Sequence, residues 1–114
     1  MTNGQIVAAL NTINKIKESN RTLPIKLSFA LNKNGLTLLD AYKPYEETLK
    51  AKGLTDLTED KLAKLSNESK AAFVELYNTD VDIDLYKVSL KDMEGADLTI
   101  NEMEIIQLFM LKDD

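Results

Sequence analysis

Leu27, Leu31, Asn34, Leu38, Tyr42, Tyr45 and Leu49 recur at steps of 4, 3, 4, 4, 3 and 4 residues. Such spacing puts all seven side chains on one face of an α-helix, and six of the seven are apolar or aromatic. The stripe runs through "NKNG", which would otherwise read as a hairpin turn. The alternative is a strand: Ile25, Leu27, Phe29 and Leu31 alternate with polar residues, but Leu38 and Leu39 break the alternation. The apolar residues here are mostly Leu, a helix former, and β-branched residues are scarce. One long kinked helix, from about Pro24 to Lys52, accounts for more of the stretch than a hairpin followed by a short helix. Gly35 costs that helix about 1 kcal/mol, and Pro44 is expected to kink it or restart it near Asp40.

The flanking segments carry their own start signals. Thr2 and Gln5 have capping-box spacing, and Ile6, Leu10, Ile13 and Ile16 follow at helical steps, predicting a helix from Asn3 to Ser19. "AKGL" reads as a stop with Gly53 beyond the helix end, and Thr58 as the next N-cap. From there Leu62, Leu65, Ala72, Phe73, Leu76 and Tyr77 share a face, with an interruption at "SNES" and an end near Asn78. Leu57 and Leu62 are placed to staple the start of this helix. In "DVDIDLYKVSL" the period changes to two, with Val81, Ile83 and Leu85 opposite Asp80, Asp82 and Asp84. Thr99 and Glu102 form a second capping box before a C-terminal helix that is apolar on most of its circumference. The expected fold is mainly α. It has about four helices, including the long kinked one, and one short β strand or hairpin near 80–90, all in a single domain spanning 1–114.

At 114 residues the chain can bury one core but not two. It has no cysteine and no histidine, which excludes disulfides, a thiol nucleophile, the usual general base and the commonest metal ligands. Its four glycines lie far apart, so no phosphate-cradling loop is present. No cofactor is expected, and the chain reads as a non-enzyme. Its start lacks the basic and long apolar regions of a signal peptide, and no apolar run is long enough for a membrane span. The charge is divided: residues 1–54 hold 8 Lys/Arg against 4 Asp/Glu, and residues 55–114 hold 6 against 15. The net charge of −5 and the pI near 4.8 argue against a nucleic-acid partner. The asymmetry fits two halves packed with matched signs, or an acidic surface aimed at a basic partner or a second copy.

Candidate interaction residues follow from these patterns. Asp80, Asp82 and Asp84 would align three carboxylates on one strand face, able to hold a hard cation or a basic peptide. An EF-hand loop starting at Asp80 fails at Leu85 and Lys91. The plainer account is a solvated face whose charges block edge pairing. Met103, Phe109 and Met110 could form an adaptable binding face or belong to the core. Tyr42, Tyr45 and Tyr77 divide in the same way between interface and core. Asn34, inside the apolar stripe, either fixes register or oligomer state or lies partly solvated at the stripe's edge. A lone strand near 80–90 needs a partner for its backbone, so a homo-oligomer is expected, most simply a two-fold dimer.

In its order of features the chain resembles a family of small proteins of unknown function encoded by tailed phages and prophages of Gram-positive bacteria. The resemblance lies in a short first helix, "LPIKLSFALNKN" opening a long helix, "FVELYNTDVDID", and a terminal helix with "EMEIIQLFML". Gly35 and Pro44 depart from the uninterrupted helix of such proteins. The resemblance implies a phage or prophage origin and no catalytic residues. With that origin, the chain is expected to act in the cytoplasm of an infected or lysogenic bacterial host, through binding of a host or phage protein. Counter-defence or host modulation would be the purpose, and the alternative is a virion or assembly component that self-associates.

Overall fold

The computed structural model describes residues 1–55 and 58–112. The fold is mainly α: α1 (Asn3–Glu18), α2 (Ile25–Ala51), α3 (Glu59–Lys64), α4 (Asn67–Tyr77) and α5 (Ile100–Phe109), with a 3₁₀ turn at Lys91–Met93 before α5. Both expected capping boxes are present. Gln5 N–H donates to Thr2 Oγ1 at 3.1 Å and Thr2 N–H to Gln5 Oε1 at 2.9 Å. At α5, Glu102 N–H donates to Thr99 Oγ1 at 3.2 Å and Thr99 N–H to Glu102 Oε1 at 2.9 Å.

The stretch from Ile25 to Ala51 is one α-helix, as the 4-3-4 spacing requires. It runs without a break through Gly35 and Pro44, so no restart occurs near Asp40. Leu27, Leu31, Asn34, Leu38 and Tyr45 are buried on one face, joined by Ala30. This face packs on Ile6, Ala9, Ile13 and Ile16 of α1, and Ile106 and Met110 close the same core.

The expected helix after Thr58 is two helices. Leu65 is extended, and the Ser66 hydroxyl accepts the N–H of Ser69 at 3.1 Å, which caps a new helix at the "SNES" interruption. Neither α3 nor α4 contains a fully buried residue, so their apolar face is a flank rather than a core. Leu57, expected as a staple, lies outside the described residues.

The clearest departure is at residues 80–90. The segment is extended but belongs to no strand or hairpin; among the described residues the only ladder contacts are two isolated bridges, Thr2 with Asp80 and Val88 with Leu111. The period-two alternation is real. Val81 and Ile83 are half-buried and Leu85 is buried, whereas the three aspartates between them are exposed. What differs is how the backbone is satisfied. Val81 N–H donates to Met1 C=O at 2.6 Å, and Asn3 N–H to Thr79 C=O at 3.1 Å. Val88 N–H donates to Met110 C=O, and Lys112 N–H to Val88 C=O, each at 2.8 Å. Midway, the Asn34 side-chain amide takes Tyr86 N–H at 2.7 Å and donates to Tyr86 C=O at 2.9 Å. Three separate elements supply the partners that one neighbouring strand would otherwise supply. The premise that this segment needs a strand from a second subunit is therefore removed.

Candidate interaction surface

The residues singled out in the sequence do not converge. Asp80, Asp82 and Asp84 are all exposed along the extended segment. Among the described residues, no group of three acidic side chains is placed to hold a metal ion. Met110 is buried in the core, Phe109 is half-buried against it, and Met103 is exposed, so the three do not form one accessible face. Beside them, Lys87 Nζ donates to Phe109 C=O at 2.6 Å, holding a positive charge at the C-terminus of α5.

Arg21 and Glu102 join the α1–α2 turn to α5, and the sequence patterns do not reveal the pair. Both guanidinium η-nitrogens donate to the two carboxylate oxygens, the Nη2–Oε2 arm at 3.0 Å, and Arg21 also reaches Asp97 C=O at 3.2 Å. The guanidinium holds the buried Glu102 carboxyl below its ordinary range, with the Thr99 N–H assisting and burial opposing. Asp92 is likewise held down, first by the backbone N–H of Ser89. Each of these contacts joins or caps structural elements.

Two further surface features have the shape of recognition sites. The first is an open groove of about 500 Å³ where α2 meets α4, beside Val7 of α1. Four of the chain's seven aromatic rings line it: Tyr42, Tyr45, Phe73 and Tyr77. Tyr42 and Tyr45 lie 6.0 Å apart, and Phe73 stacks on Tyr77 at 6.2 Å. Burial pushes both the Tyr42 and the Tyr45 hydroxyls upward from their ordinary value. The Tyr77 ring lies on Gly4, where a β-carbon would meet it at 2.3 Å. The tyrosines thus join two helices and also wall a groove.

The second feature is the outer face of α2. Ile25 is 84% exposed, Phe29 53%, Leu36 69% and Leu39 44%. Together with Asn32 and Lys43 they recur at steps of 4, 3, 4, 3 and 4, the spacing of a coiled-coil seam. The buried stripe through Leu27, Leu31 and Leu38 occupies the other side of the same helix. Tyr86, clamped through its backbone by Asn34, packs edge-on against Phe29 with ring centroids 5.3 Å apart and extends the apolar patch. Ile25 and Phe29 look like strand residues in the sequence; the signal that groups them with Leu36 and Leu39 is this second heptad stripe, offset from the first. No protein-family model matches the chain, and neither a curated protein nor a solved structure matches it significantly.

Proposed function

We propose that this chain is a non-enzymatic binding protein that works by docking another protein on the outer face of α2. The observation that carries the reading is the exposed heptad stripe of Ile25, Phe29, Leu36 and Leu39 on a helix already anchored by its opposite face. Scattered apolar side chains on a surface need no explanation, but large apolar side chains repeated at heptad spacing along one exposed helix face mark an interaction site. A helix lying in the groove of a partner uses this spacing of anchors. In this reading the protein is a phage or prophage accessory factor in the cytoplasm of its host, which rests on the resemblance of its feature order. None of its described helices is long and apolar enough to cross a membrane.

Site-specific photo-crosslinking in bacterial cells tests the docking face. A benzophenone side chain replacing Leu36 should capture a protein, whereas the same group replacing Lys61, on the exposed flank of α3, should not. Equal capture from both positions, or none from position 36, refutes the reading.

A further inference from the structure

We propose that the protein docked on α2 is a second copy of this chain, paired antiparallel about a two-fold axis; this rests on the docking face proposed above. The inference comes from the charges along one edge of the apolar seam. Lys26, Lys33, Asp40 and Glu47 follow each other at seven-residue intervals, beside the seam positions Ile25, Asn32, Leu39 and Glu46. All four are exposed. Their order is two positive charges and then two negative.

Such an edge is complementary to itself when the copies run in opposite directions. In an antiparallel pair of helices this edge faces the same edge of the other copy. Lys26 then meets Glu47 and Lys33 meets Asp40, and the two-fold axis repeats both, making four opposite-charge pairs. A parallel pair would set it against the other edge, where Ser28, Gly35, Tyr42 and Leu49 carry no charge. The register that aligns the charges also brings the two leucines of the seam together. Leu36 of each copy packs on Leu39 of the other at the centre. Phe29 lies opposite Glu46 of the second copy, flanked by the aliphatic stems of Lys43 and Lys50. Within one chain these charges have only loose partners: Asp40 lies 3.5 Å from Lys43, and Lys26 lies 3.8 Å from Asp92. Asp40 and Lys43 are both exposed, and the Lys26 ammonium is exposed although Asp92 is largely covered. The two-fold makes the interface isologous, so it closes at a dimer instead of growing into a filament.

Light scattering coupled to size exclusion, at tens of micromolar protein and low salt, should give twice the 12.8 kDa chain mass. Reversing either charge alone, Lys33→Asp or Asp40→Lys, sets like charges against each other at two symmetric places and should weaken the dimer about tenfold. The double swap K33D/D40K restores opposite signs and should return the affinity to within about threefold of the original. Circular dichroism should be unchanged in all three, because the residues are exposed. A monomer mass for the unaltered chain overturns the proposal, and so does a double swap as weak as the single reversals. If the chain is monomeric while the benzophenone at position 36 still captures a different protein, the dimer fails and the docking face stands.

Discussion

Asn34 is the polar residue on which the packing of the extended segment turns. It is fully buried, and its amide presents to Tyr86 the same donor and acceptor that a neighbouring strand would present. Asn34→Ala should therefore cost about 2–3 kcal/mol, because both peptide groups of Tyr86 lose their partner in a half-dry site. Urea unfolding measures the loss, and amide exchange at Tyr86 should accelerate more than at Leu38, which sits on the same helix. Gly35 behaves in the opposite sense. A β-carbon there would meet only Ile13 Cγ2, at 3.5 Å, an ordinary contact. Gly35→Ala should stabilise the protein by about 0.5–1 kcal/mol through helix propensity alone, read as a higher denaturation midpoint. Leu38→Ala removes a fully buried side chain facing α1 and should cost about 2–5 kcal/mol in the same assay.

The helices were legible to different degrees, and the reasons are local. α1 and α5 start where their capping boxes lie, because a cap is a bond between residues three apart and needs no distant partner. α2 was legible from its apolar period over 27 residues, long enough to outweigh the turn-like "NKNG". Pro44 removes the N–H that would bond to Asp40 C=O, yet the helix continues on both sides, held by Leu38 and Tyr45 in the buried face. Pro44→Ala should thus stabilise α2 by about 1–3 kcal/mol, again read from urea unfolding. The strand expected near 80–90 is absent because alternation reports only that a segment is extended with one face buried. It does not say whether the backbone bonds to a strand or, as here, to a side chain and two chain ends. The candidate residues Met103, Phe109 and Met110 were separated for a related reason: α5 is apolar on several sides, and the pattern does not say which side meets the core.

The molecule measures 48 × 27 × 20 Å, with a radius of gyration of 16.2 Å. That exceeds the roughly 13–14 Å of a rounded domain of similar length. The long α2 sets this shape and leaves its outer face uncovered. Arg21 and Glu102 tie α5 back to the α1–α2 turn across the middle of the chain. Glu102 and Asp92 both have carboxyls held below their ordinary range when folded. Their contribution to stability is therefore complete above the unfolded-state pKa, about 4.3 for Glu, and is lost as pH falls through the lower folded-state values. Thermal unfolding should show little change between pH 7 and pH 5 and a steep loss of stability below about pH 4. In Glu102→Gln the acid-side loss should be shallower, and a profile identical to the unaltered chain would remove Glu102 as its cause.

From its sequence the chain was bound to be mainly helical, to begin α1 and α5 where it does, and to carry Leu27, Leu31 and Leu38 along one face of a long helix. These features follow from caps and periods within a few turns of helix, where the interacting residues are near neighbours in the chain. Tertiary structure decided the rest. It paired Arg21 with Glu102, seated Tyr86 on Asn34, and put Met110 inside while leaving Met103 outside. It also chose which of the two apolar stripes on α2 the core would take. Both stripes have helical spacing, so periodicity alone does not rank them. The choice fell to α1, whose apolar side chains pack on the face that carries Asn34, and to the 80–90 segment, whose Tyr86 backbone bonds to Asn34.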